Sequence, residues 1–229
     1  MRYRAIIFDL FGTLVRSFTR REYDQVNAQM AVAAGVPYAY FWRLMGETYQ
    51  DSCLGRYSSF EDIMSDVCCR AGVQVSMTRI TQAARFNDEF TVNALVPDPE
   101  VLEALDRLMQ RGYRLGLITN CGPAVPLHFP QSPLAQFIDV PVFSCEERIA
   151  KPSSDIYQRT CQRLKIRAQD CIYLGDGSSQ ELTGAAAVGM RPVLKRTDLR
   201  DVYDRHRPEV EDWRGLAINE IKELCDMRF

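Results

Sequence analysis

The sequence predicts an α/β protein, a doubly wound parallel sheet carrying an inserted all-α subdomain. Three observations carry that expectation. The runs AIIFD, YRLGLITN and CIYLGD are near-continuous apolar stretches of strand length, as in strands covered on both faces of a parallel sheet. Helical patterns alternate with strands from about residue 98 to the end, as crossover-connected parallel strands require. Between the first strand and the first of these units, residues 16–95 read as one helix after another, too long for a crossover loop.

Taken in order, AIIFD climbs to Asp9 and LFGT turns the chain. Helical patterns follow in RREYDQVNAQMAVAAG, YAYFWRLMGETYQDSCLG, SFEDIMSDVCCRAG and MTRITQAARFNDEFTV. PDPEVLEALDRLMQRG puts Val101, Leu102, Leu105, Leu108 and Met109 on one helical face, with Gly112 as its stop signal. YRLGLITN is then a strand, SSDIYQRTCQRLKI a helix, CIYLGD a strand, SSQELTGAAAVGM a helix and RPVLK a strand, with AINEIKELCDM a closing amphipathic helix. The expected division is a core of residues 1–15 and 96–229 and a helical subdomain of 16–95. Because the subdomain leaves directly after DLFGT, it sits over the carboxyl edge of the sheet.

Composition narrows the function. Apolar residues make up 46% of the 229 and charged residues 25%, ordinary for a soluble globular protein. A net charge of −2 with no basic block gives no electrostatic footprint for nucleic acid. No apolar run approaches membrane-spanning length, and the N-terminus lacks a signal-peptide cleavage site. The eight cysteines (53, 68, 69, 121, 145, 161, 171 and 225) show no metal-ligand spacing, so reduced thiols in a cytoplasmic protein are expected. A small molecule remains as the expected partner.

In an open parallel sheet the ligand site lies beyond the carboxyl ends of the strands. Asp9, Thr119, Asn120 and Asp176 are the polar residues at those ends. Asp9 suits a nucleophile or a metal ligand; its alternative is a turn residue holding LFGT. Thr119 and Asn120 offer donors for developing negative charge, or a helix cap ahead of GPAVP. Glu181 stands three residues after Ser178, which is also the spacing of a capping box.

The motifs FDLFGTL, ITN, KP and LGDGSSQE, in this order at matching strand ends, resemble those of the haloacid dehalogenase-like (HAD) hydrolase superfamily. Residues 16–95 resemble the cap that some members insert between the first two motifs. The resemblance covers essentially the whole chain. It implies a Rossmann-like core and, for most members, a Mg²⁺-dependent phosphatase working through an aspartyl-phosphate. It implies Asp9 as nucleophile with Thr13 orienting it, and Thr119 and the Asn120 amide holding the phosphoryl group. Lys151 would neutralise both Asp9 and the phosphoryl oxygens. Mg²⁺ would be held by Asp9, the backbone carbonyl of Phe11, Asp176 and, directly or through water, Glu181. Arg43, in FWRLMGETYQ, matches a Trp-Arg pair of 2-haloacid dehalogenase caps in which the arginine faces the substrate; a solvated helix face is its alternative. His128 and His206 match no motif and read as structural or solvated, and Cys121 as a small semi-buried thiol.

Position 11 is where the pattern breaks. The resemblance would put a second acid there, to protonate the leaving alkoxide, and the chain has Phe11. One reading is a phosphohydrolase whose leaving groups need little protonation or draw their proton from the cap. A second is a metal-independent 2-haloacid dehalogenase, since halide leaves unprotonated and those enzymes carry an aromatic residue at this place. A third is a catalytically weak binding protein on a hydrolase scaffold. Dehalogenases typically replace the fourth motif with a Ser-Ser-Asn pattern, whereas LGDGSSQE keeps its acids. Asp176 beside Asp9 with no cation to share would be costly. The expectation is therefore a Mg²⁺-dependent phosphohydrolase of small phosphorylated metabolites, with the dehalogenase second.

Overall fold

A computed structural model describes residues 3–205 and 207–227. Strand β1 (Ala5–Phe8) is followed by helices α1 (Arg20–Ala34), α2 (Tyr38–Cys53), α3 (Phe60–Arg70) and α4 (Met77–Ala94). Then come α5 (Pro99–Gln110), β2 (Arg114–Thr119), α6 (Ala124–His128), β3 (Val140–Phe143), α7 (Ser144–Glu147) and α8 (Ser154–Leu164). The chain closes with β4 (Cys171–Gly175), α9 (Glu181–Ala187), β5 (Arg191–Lys195), α10 (Pro208–Glu211), β6 (Ala217–Ile218) and α11 (Lys222–Asp226). Six strands pair in parallel in the order β3-β2-β1-β4-β5-β6. The winding reverses between β1 and β4, which opens a crevice at their carboxyl ends.

The strands read as continuous apolar runs because both faces are covered. Ile6, Phe8, Leu115, Leu117, Ile172 and Leu174 pack on one side with Leu105 and Leu108 of α5 and Leu224 of α11. Ala5, Ile7, Ile118, Tyr173 and Leu194 pack on the other with Ile156, Tyr157 and Leu164 of α8 and Leu182 of α9. Alternation at period two thus feeds two cores from one strand.

Three expectations need correction. Val140–Phe143 forms an edge strand that the pattern does not announce, because it is short and contains Pro141; an edge position tolerates the missing N–H. In AINEIKELCDM only Lys222–Asp226 is helical, and Ala217–Ile218 pairs with β5 as β6. Met109 is 41% exposed, whereas Ala104 completes the buried face of α5.

Helices α1 to α4 have a core of their own, built from Val26, Met30, Phe41, Leu44, Ile63, Met64, Val67, Ile80 and Ala83. Capping boxes start two of them. Thr19 with Glu22 opens α1, and Ser59 with Asp62 opens α3. Rings join this module to the first loop of the sheet: Phe11 lies 4.7 Å from Phe18, and Phe18 4.9 Å from Phe90 of α4. Among the described residues no helix is long and apolar enough to cross a membrane.

Candidate active site

Strand register assembles the site. Phe8 of β1 pairs with Leu117 of β2 and Leu174 of β4. One or two residues further on, these strands deliver Asp9, Thr119 and Asp176 to the same edge. The Asp9 N–H donates to the Leu174 carbonyl at 2.9 Å, fixing where the side chain leaves the sheet. Gly12 follows at φ +87°, and a Cβ there would lie 1.9 Å from Asp176 Oδ2. Only glycine lets the LFGT turn pass this close to the carboxylate. Asp9, Asp176 and Glu181 are all buried, and each brings an oxygen within 4.8 Å of the others.

A lysine holds this acidic cluster together. Lys151 Nζ donates to Asp9 Oδ1 and to Glu181 Oε2, both at 2.5 Å. The Lys151 backbone is clamped in turn: its N–H donates to Asn120 Oδ1 at 2.8 Å, and Asn120 Nδ2 donates to its carbonyl at 3.1 Å. Thr13 Oγ1 donates to Asp9 Oδ2 at 3.2 Å, so both Asp9 oxygens are held. Glu181 also accepts from Tyr173 Oη at 2.8 Å and from the Gly177 N–H at 3.0 Å.

The charges are mutually dependent. Burial acts to lower the Lys151 pKa, but the charges of Asp9 and then Glu181 hold it above its ordinary value. Burial, reinforced by the Asp9 charge, pushes the Asp176 carboxyl up to about 6, against the opposing pull of Arg207. Burial and Asp9 likewise raise Glu181 to about 8. Two carboxyls held above their ordinary values mark a site in which a further cation would be favoured.

This geometry agrees with the likeness of the whole chain to known proteins. Residues 3–189 match the model of the haloacid dehalogenase-like hydrolases. The chain belongs to that family. A glyceraldehyde 3-phosphate phosphatase of Methanopyrus kandleri is 29% identical over 58% of the chain, a match spanning 57% of that relative's own length. One of the same name from Methanocaldococcus jannaschii is 22% identical over 98% of the chain and 96% of its own. The solved 2-haloacid dehalogenase of Pseudomonas syringae pv. Tomato DC3000 superposes with a TM-score of 0.69 at 19% identity, covering 98% of this chain and 97% of that one. It supports the fold alone.

In this HAD hydrolase the residues read from the motifs meet at one place: Asp9, Thr13, Asn120, Lys151, Asp176 and Glu181 are joined by direct contacts or share the acidic cluster. Thr119 lies buried at the end of β2 beside them. The Phe11 ring packs on Phe18. Two readings are corrected. Ser178 and Glu181 form no capping box, since α9 starts without a side-chain cap and Glu181 points into the cluster. Arg43 is not brought to the site. Phe41, Leu44 and Thr48 make the buried face of α2, and Arg43 falls outside it, half-exposed over the Tyr40 ring and 3.9 Å from Glu47.

Two site residues carry no signal in the motifs. Tyr173 lies in the apolar run of β4, where its hydroxyl is the one polar tip, and it reaches Glu181. Arg207 lies far beyond the fourth motif in a polar stretch, yet its Nη2 is 2.8 Å from Asp176 Oδ2 with both side chains buried. His128 Nε2 lies 3.1 Å from Asp88 Oδ1, bridging α6 and α4, and Cys121 is buried with its N–H on Ser144 Oγ. His206 lies outside the described residues.

Proposed function

We propose that this HAD hydrolase is a Mg²⁺-dependent phosphohydrolase of small phosphorylated metabolites, working through a phosphoryl group carried on Asp9. The observation that carries this reading is the lysine pinned between Asp9 and Glu181 with Asp176 in the same buried cluster. A hard divalent cation fits the residues present: the donors are carboxylates, and among the described residues Asp176 Oδ2 accepts no aligned hydrogen bond. Asp9, Asp176 and the Phe11 carbonyl are the proposed holders of Mg²⁺, which when bound would offset the charge between Asp9 and a phosphoryl dianion. The engaged oxygens of Glu181 suit it better to holding Lys151.

The chain's own residues then account for the chemistry. Lys151 and Thr13 hold both oxygens of Asp9 and keep it aimed. The carboxylate attacks phosphorus, and the bond to the leaving oxygen breaks with its electron pair going to that oxygen. Water next attacks the phosphorus of the aspartyl-phosphate, releasing inorganic phosphate and restoring Asp9. The Thr119 hydroxyl and the Asn120 amide are proposed to donate to the phosphoryl oxygens. Asn120's side chain is committed to the Lys151 backbone, so its N–H is the group available for this role. Residues 16–95 are proposed to act as a cap over this edge. The eight free thiols suit a reducing cytoplasm.

Phe11 favours a second reading, a 2-haloacid dehalogenase, because it has no proton to give. Against it stands the acidic cluster, which a metal-independent displacement has no use for. Phosphate release from phosphorylated metabolites, measured with and without Mg²⁺ beside halide release from L-2-chloropropionate, separates the two. Mg²⁺-dependent phosphate release is expected; halide release indifferent to chelator would reverse the assignment.

A further inference from the structure

The described residues between Lys195 and Glu209 are anchored on both sides of the site. Toward the helical module, the Tyr203 N–H donates to the Phe18 carbonyl at 3.2 Å and the Arg20 N–H donates to the Asp201 backbone carbonyl at 2.9 Å. The Tyr203 ring lies 4.7 Å from Tyr23 and edge-on to Trp42 at 5.3 Å. Toward the sheet, Glu209 accepts from the N–H groups of Leu182 and Thr183, at 3.1 and 3.0 Å, and so satisfies the first turn of α9. Between these anchors Arg207 turns inward onto Asp176.

Burying a guanidinium demands an anionic partner, and the partner here is the carboxylate read above as a metal ligand. The pairing is incomplete. Arg207 Nη1 donates to the Asp204 carbonyl at 2.8 Å, but among the described residues Nε has no acceptor and Asp176 Oδ2 accepts no aligned hydrogen bond. The forked geometry that makes arginine–carboxylate pairs strong is absent. Asp176 Oδ1 meanwhile accepts from the Ser178 N–H at 3.1 Å. The oxygen left for a metal is the one Arg207 faces.

We propose that Arg207 is the counter-cation of Asp176, and that a divalent cation bound there must displace it. A cation on Oδ2 and a guanidinium on the same oxygen would be like charges at close range in a poorly screened interior. Metal binding therefore frees Arg207 from the sheet edge, while Tyr203 still ties the strap to α1 and α2. The charge state of the site is thereby coupled to the helical module. The inference rests on the Mg²⁺ reading above.

Calorimetric titration of Mg²⁺ into wild type, Arg207→Gln and Arg207→Lys is the test. Arg207→Gln should bind Mg²⁺ about tenfold or more tightly than wild type, since the competing charge is gone. Arg207→Lys, which keeps the charge, should stay near wild type. In wild type, hydrogen exchange provides a readout that needs no variant to fold: the Val210 amide, which donates to the Arg207 carbonyl, should exchange faster once Mg²⁺ is bound, whereas the Tyr203 amide, held by the Phe18 carbonyl, should not change. Equal or weaker Mg²⁺ binding by Arg207→Gln, or Val210 exchange that stays the same or slows, would overturn the displacement. Absence of Mg²⁺ binding to every form would overturn the metal reading together with it.

Discussion

Lys151 is held by two carboxylates, and this double contact separates the roles of the acids around it. Glu181 gives one oxygen to the Gly177 N–H and the other to Lys151 and Tyr173. Glu181→Gln should therefore lower kcat by about tenfold or more, by loosening the cation that serves the reacting group, while Mg²⁺ affinity moves little. Asp176→Ala should instead weaken Mg²⁺ binding by more than about tenfold. Titrations and steady-state rates on both variants check this, and the opposite ranking would exchange their roles. At Phe11 the expectation concerns leaving groups. A positioned acid is worth about 10²–10⁴ in rate for a basic alkoxide and little for a stabilised phenolate. Phe11→Asp should raise kcat/KM for alkyl phosphates more than for aryl phosphates, at some loss of stability because the ring packs on Phe18. An unchanged alkyl-to-aryl ratio in a folded variant would mean that the proton comes from elsewhere.

Elements carry the next predictions. α1 starts on a capping box, and Arg16 adds hydrogen bonds to Glu22 at 2.8 and 2.6 Å. Thr19→Ala should cost about 1 kcal/mol, a fall in Tm of about 2–4 °C for a chain of this size. The Arg16 hydrogen bond, against the opposing effect of burial, draws the Glu22 carboxyl from its ordinary 4.5 down to about 2. A depressed folded-state pKa means that this pair contributes fully above the ordinary value and loses its contribution as pH falls from 4.5 toward about 2. The pair is partly exposed, so added salt should shrink the effect. Thermal melts of wild type and Glu22→Gln should converge at the acid end. Sequence pattern read these elements well where periodicity was long. α1 to α4 and the buried strands announce themselves because many residues vote for one face. β3 and β6 do not, being four and two residues long and defined by neighbours contributed from elsewhere in the chain.

Over the whole molecule, the parallel register turns three separate motifs into one cluster, because neighbouring strands end at the same height. That is why Asp9, Lys151 and Asp176 were legible from local patterns: each motif is tied to a strand end or the loop after one, and topology does the rest. Arg43 was misleading for the converse reason. A helix-surface arginine owes its direction to which face the module buries, and Phe41 and Leu44 settle that face only once the helices pack. Arg207 was silent because its place depends on a strap pinned by Tyr203 and Glu209, contacts that no short motif encodes. Whether Asp9 carries the phosphoryl group can be read from acid-quenched single turnovers. With Mg²⁺ and an aryl phosphate, peptide mass spectrometry should find a phosphoryl group on Asp9 at early times, decaying as phosphate appears, and Asp9→Asn should show neither the adduct nor turnover. Turnover that persists in Asp9→Asn, or an adduct on another residue, would contradict it.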